Sequence, residues 1–170
     1  DEARAIVIDR YNNIYVTGYC TGSGKDFCTI KYNTNGVQVW VRYYNGPSQF
    51  TSIDVATCIA IDSSGNIYVA GYSESNSSNH TLDYTTIKYD SMGSPKWIQR
   101  YEGPASSDDN ATGILVDING NLIVTGSSIG NETREDYCTI KYNTNGQVIW
   151  INRYNGPANF WDDANAVNTD

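Results

Sequence analysis

The feature that most constrains this chain is its internal repetition. Asp9, Asp62, Asp117 and Asp170 mark the same point of a recurring pattern, at spacings of 53, 55 and 53 residues. Residues 28–36 recur letter for letter as 138–146, a match that chance does not supply at a fixed phase. Repetition at this period means that each unit is one supersecondary element, burying its apolar face only by stacking on its neighbours. Residues 1–53, 54–108 and 109–161 are three full units, and residues 162–170 restart the pattern as the first strand of a fourth.

Each unit predicts four short strands. The first is 5–9, matched by 58–62 and 113–117, and a turn rich in Ser, Asn and Gly follows it. Such residues tolerate the positive φ of tight hairpins. The second strand is 14–18, 67–71 or 122–126, and the third is 27–32, 84–89 or 137–142. Asn35-Gly36 and Asn145-Gly146 then signal a hairpin into the fourth strand, which carries Trp40, Trp97 or Trp150. Gly46-Pro47, Gly103-Pro104 and Gly156-Pro157 end it, because proline cannot donate to a ladder. Length varies most between the second and third strands: Gly18 to Ile30 is 12 positions, Gly71 to Ile87 is 16, and Gly126 to Ile140 is 14. A constant framework with one variable loop is the pattern of a scaffold with an exposed rim.

Four antiparallel strands per unit at this period predict an all-β fold of β-propeller blades. No stretch shows sustained helical periodicity. A β-solenoid has shorter rungs, and an immunoglobulin module needs about 100 residues. Closed propellers have about four to eight blades, so three blades and one strand predict an open fragment. It is completed either by further blades of a longer chain or by neighbouring copies. The opening on Asp1, in register with the repeat and without an initiator Met or signal peptide, points to a segment of a longer or processed polypeptide.

The combined pattern is carried by Ile59-Ala-Ile-Asp62, Gly65-Asn-Ile-Tyr-Val-Ala-Gly71, Asp83-Tyr-Thr-Thr-Ile-Lys-Tyr89 and Arg153-Tyr-Asn-Gly-Pro157. It resembles the SBBP repeat, a bacterial and archaeal β-propeller repeat, over nearly the whole chain. The resemblance implies a secreted or cell-surface module of a larger chain, without a common catalytic activity. Unit one departs in two places: Tyr11-Asn12 stands where unit two has Ser64-Gly65, and Arg42-Tyr43-Tyr44 replaces Gln99-Arg100-Tyr101.

Composition narrows the function classes. The net charge of −8 argues against a nucleic-acid partner, which needs clustered Lys and Arg. No apolar run reaches the ~18 residues of a membrane-spanning helix, so membrane insertion is not expected. Catalysis has no constellation: the lone His80 lies in the longest loop, and no nucleophile elbow, metalloprotease helix or phosphate-binding glycine loop occurs. No cofactor or metal is expected. Four cysteines without a C-x-x-C do not form a zinc site, and residues 117–121 lack the spacing of a calcium loop.

Several residues remain as candidates. Asn76, Asn79, Asn110 and Asn131 head glycosylation sequons. Cys20 and Cys28 flank the short loop of unit one on strands expected to pair, where an oxidising compartment could join them; buried free thiols are the alternative. Lys31, Lys88 and Lys141 recur, as do Trp40, Trp97 and Trp150, and repetition favours architecture over ligand binding. Phe160-Trp161 do not repeat, since Ser52-Ile53 and Ser107-Asp108 occupy those positions, and so mark an exposed contact. The reading is a non-enzymatic extracellular or cell-surface scaffold or interaction module whose partners are proteins. One alternative is the repeating subunit of an extracellular filament or surface layer. Another is a carbohydrate-binding propeller, with glycans as partners.

Overall fold

The computed structural model describes residues 1–48, 52–76 and 79–168, so Asp170, the expected fourth repeat marker, lies outside the described residues. Twelve strands form three four-stranded antiparallel sheets, each joined in sequence order, and no helix occurs among the described residues. The first sheet is β1 (Glu2–Ile8), β2 (Ile14–Thr21), β3 (Lys25–Tyr32) and β4 (Gln38–Tyr44). The second is β5 (Asp54–Ile61), β6 (Ile67–Glu74), β7 (Leu82–Tyr89) and β8 (Pro95–Tyr101). The third is β9 (Asp109–Val116), β10 (Leu122–Ile129), β11 (Glu135–Tyr142) and β12 (Val148–Tyr154). These are β-propeller blades, open at both ends of the row.

The turns form as their residues dictate. Asp9, Asp62 and Asp117 each fold back, Oδ1 accepting the backbone N–H two and four residues on and Oδ2 accepting the Nδ2–H of Asn13, Asn66 or Asn121. This side-chain mimic of a backbone turn fixes the hairpin without a tertiary contact. One further device shapes every blade. The first strand of each sheet carries a register shift opposite Gly18, Gly71 or Gly126. A Cβ at those glycines would meet the carbonyl oxygen of Glu2, Val55 or Asn110 at 1.9–2.0 Å, so only glycine admits the bulge.

The blades stack through side chains rather than ladders. β5 packs on β1, β2 and β3, and β9 on β5, β6 and β7, which puts the first strand of each blade at the inner edge. One core unites Tyr15, Phe27 and Trp40 of blade 1 with Ile67, Val69, Ile87 and Tyr89 of blade 2. The second unites Tyr68 and Tyr84 with Leu122, Val124, Ile140 and Tyr142, with Trp97 packed against it. The expected first strand of a fourth blade is not formed. Over residues 162–168 the backbone makes no ladder, because no second strand of that blade stands beside it. Those residues nonetheless lie along β9 as β9 lies along β5: Thr112 Oγ1 donates to the Ala164 carbonyl as Thr57 Oγ1 does to that of Ala111.

Candidate functional site

All three β2–β3-type loops emerge on one rim of the row, and each is closed differently. In blade 1, Gly22 N–H donates to the Gly24 carbonyl at 2.9 Å. In blade 2 the backbone of Ser75 donates to Thr81 O at 2.7 Å. Glu74 braces this loop: one carboxylate oxygen meets His80 Nδ1 at 2.6 Å and the other accepts Ile53 N–H at 3.0 Å. His80 is therefore paired rather than merely solvated, a partner that its place in a long loop does not reveal. In blade 3, Gly130 N–H donates to Arg134 O and Thr133 Oγ1 to Asp136. Phe160 and Trp161 join this rim, 68% and 69% exposed, and the Arg134 guanidinium lies 5.3 Å from the Trp161 ring centroid.

The sequon asparagines divide. Asn76, Asn79 and Asn131 are exposed in the rim loops, although Ser77 and Ser78 lie outside the described residues. Asn110 is half-buried inside β9 and pairs with Ser127. Cys20 and Cys28 sit diagonally on β2 and β3, since Cys20 pairs with Asp26 and Cys28 with Gly18. The disulfide is not formed: all four cysteines are free thiols. Burial, then the hydrogen bond with Cys20, pushes the Cys28 thiol up to about 12, and burial pushes Cys58 to about 12.

On the opposite rim, a cleft of about 420 Å³ opens between the first two blades, lined by Asp9, Arg10, Tyr11, Lys31, Asp62 and Ser64. Arg10 stacks on Tyr11, 4.8 Å from its centroid, and donates to its hydroxyl at 2.8 Å. Its counterpart between blades 2 and 3 is smaller, about 240 Å³, and has Ser63 rather than Arg10.

The recurring lysines and tryptophans are architectural. Lys31 Nζ and Trp40 Nε1 both donate to the Ser91 carbonyl in the third turn of blade 2. Lys88 and Trp97 do the same to Thr144 of blade 3. Lys141 has no following blade and closes instead on Asp117 at 2.7 Å, which, with its turn hydrogen bonds, holds that carboxyl well below the usual range against the opposing effect of burial.

A second recurring cluster escapes inspection of the sequence. Arg100 donates to Ser73 Oγ and O, Thr85 Oγ1 and Asp83 within its blade, and to Tyr44 Oη of the preceding one. Arg153 repeats this with Ser128, Asp136 and Tyr101. In blade 1 the arginine is Tyr43 and the serine is Cys20. That joint departure is the signal by which the cluster could have been found. Asp109, buried beside Arg153's cluster, accepts Gly103 N–H at 2.6 Å, and burial pushes its carboxyl up to about 6. No group of three or more His, Cys, Asp or Glu is disposed to hold a metal among the described residues.

The model of the SBBP β-propeller repeat matches residues 39–77 and 96–132. Two stretches of the chain are thus similar to that repeat. Each match begins in the fourth strand of one blade and ends in the second-to-third loop of the next, so an SBBP unit in sequence spans the seam between two sheets. A solved structure of a fucose lectin from Kordia zhangzhouensis in complex with methyl-fucoside aligns over 90% of this chain and 99% of that one. The identity is 15% and the TM-score 0.47. No curated protein matches the chain at a significant level.

Proposed function

We propose that this chain is a non-enzymatic scaffold and interaction module of a secreted or surface protein, whose rim of second-to-third loops faces a protein partner. One observation carries the reading: three sheets share strand order and turn chemistry, while the largest differences in length, and a different closure in each blade, fall in those loops. A framework held by turns and seams leaves the rim free to change without cost to the core. The buried ionisable groups serve that framework, since Asp83, Asp109 and Asp136 are tied to arginines or backbone amides rather than aimed at a cleft. Exposed Asn76, Asn79 and Asn131 on the rim support a location outside the cell, which antibody labelling of intact source cells tests directly.

Cutting the blade 2 loop to the length found in blade 1 is the test of the scaffold. The thermal midpoint is expected to stay within about 4 °C, the effect of a perturbation of about 1 kcal/mol in a domain of this size. Loss of cooperative unfolding would place the loop in the framework and sink the reading.

A carbohydrate-binding reading is favoured by one feature, the exposed Phe160–Trp161 pair with Arg134 on the Trp161 ring. Trp40 and Trp97 do not serve it, because both are packed in the seams. On that reading a glycan array shows binding that Trp161→Ala removes, and a blank array with the folded chain rejects it.

A further inference from the structure

We propose that the cleft between the β1–β2 turn of blade 1 and the β5–β6 turn of blade 2 binds a sugar acid, a small polyhydroxylated ligand held by its carboxylate. Both sheets that wall the cleft are complete and packed on each other, so the cleft belongs to an internal seam. At about 420 Å³ it falls within the range of small-molecule sites, about 300–1,000 Å³. Its counterpart between blades 2 and 3, at about 240 Å³, does not.

The repeat supplies an internal control. Where the turns of blades 2 and 3 read Ser63-Ser64-Gly65 and Ile118-Asn119-Gly120, that of blade 1 reads Arg10-Tyr11-Asn12. Asn12 takes the left-handed backbone of the two glycines, φ 61° against 82° and 79°, so the turn keeps its shape while its side chains change. The framework does not call for the change. Asp9 and Asn13, which recur, build the turn, whereas the Arg10 side chain bonds only to Tyr11 among the described residues, and Tyr11 is 63% exposed. In a repeat, residues that serve the architecture recur, and this pair does not.

Hydrogen-bond accounting sets the chemistry of the ligand. Asp9 accepts from the amides of Tyr11 and Asn13, from Asn13 Nδ2 and from the Tyr15 hydroxyl, at 2.8–3.1 Å. Asp62 accepts the equivalent set from Ser64, Asn66 and Tyr68. A carboxylate has about four acceptor positions, so both are filled and neither is left for a cation. What remains free is donors. Arg10 gives one N–H to the Tyr11 hydroxyl and Lys31 one to the Ser91 carbonyl, which leaves each with others to offer.

The two carboxylates balance the two cations, so a bare anion gains little from the field of the cleft and binding rests on directed bonds. The guanidinium fork suits a carboxylate taken on two parallel bonds, and its stacking on Tyr11 fixes it beforehand. The Ser63 and Ser64 hydroxyls, without a partner among the described residues, suit ligand hydroxyls, and the Tyr11 ring gives the sugar an apolar wall.

NMR titration of the folded 170-residue chain with glucuronate is the test, with glucose and inorganic phosphate as comparison probes. Glucuronate is expected to shift the amide resonances of the two turns with a dissociation constant of about 1 mM, the scale for a ligand of this size. Glucose and phosphate should each bind about tenfold more weakly or worse. Arg10→Ala, confirmed folded by circular dichroism, is expected to weaken glucuronate by about tenfold or more, as loss of hydrogen bonds to a charged group does. Trp161→Ala, on the opposite rim, leaves it unchanged. Absence of shifts at about ten times that concentration overturns the proposal. So does binding that survives Arg10→Ala, or binding that Trp161→Ala removes, which belongs to the loop rim. Glucose or phosphate bound as tightly as glucuronate overturns it too, the first by making the carboxylate idle and the second by marking an ion site without a sugar.

Discussion

Blades 1 and 2 share strand order, pairing register and turn chemistry, yet they tie down their fourth strands differently. In blade 2, Arg100 links β8 to β6 and β7 through Ser73 and Asp83 and reaches across to Tyr44 of the blade before. In blade 1 the position is Tyr43, 61% exposed, beside the thiols of Cys20 and Cys28. Asp26, the counterpart of Asp83, is left without a cation, and burial, with the Asp54 charge behind it, raises its carboxyl. A blade therefore forms without the arginine cluster. The turns, the glycine bulge and the tryptophan build the sheet, and the arginine adds a tie between one blade and the next.

The largest effect follows from removing that tie. Arg100→Ala strands the buried Asp83 carboxylate, and urea unfolding is expected to show a loss of about 3 kcal/mol, the scale for breaking a buried ion pair on one side. A loss below about 1 kcal/mol, the range of an exposed pair, would erase the distinction between the two blades. Next comes the seam. Gly93→Ala must displace the Trp40 ring as well as strain its own backbone, for about 2 kcal/mol, whereas Gly36→Ala carries only the backbone strain of about 1 kcal/mol.

A further effect distinguishes the two seams by pH. Burial holds the Asp109 carboxyl at about 6 in the folded state, with Ser128 and the Gly103 amide opposing it, against about 3.9 unfolded. A carboxyl raised on folding contributes stability that is full below the unfolded value and is lost as pH rises through the folded one. The unfolding free energy of the parent, relative to Asp109→Asn, is thus expected to fall between pH 4 and pH 7. A flat difference over that window would mean that the carboxyl is ionised throughout. The smallest effect is at the open face, where Tyr43→Ala should change stability by no more than about 0.5 kcal/mol, read by the same urea titration.

Local chemistry was legible in advance, and contacts between blades were not. The Asp-turn-Asn hairpins, the Gly-Pro stops and the strand order follow from residues within a few positions of one another. The acceptor for Trp40 is Ser91, 51 residues away, and that for Tyr84 is the Cys138 carbonyl, 54 away. Repetition announces that such residues share a task, but every unit offers the same partners at the same phase. Which copy meets which is decided only when the sheets stack. The strand expected at residues 162–170 shows the converse. Its letters fit the repeat, and a strand still needs a neighbour's backbone to become one.

β6 is sheltered as neither end blade is. Its residues lie between β5 and β7 in the sheet and beneath blades 1 and 3 on its two faces, with Ile67, Tyr68, Val69, Ala70 and Ser73 all closed to water. In a row coupled only through nearest neighbours, opening begins at the ends and runs inward. The amides of β6 should accordingly be the last to exchange with deuterium. Their protection then records how many neighbours a blade has, so that covering either end of the row would slow exchange in β2 or β10 towards the pace of the middle strand.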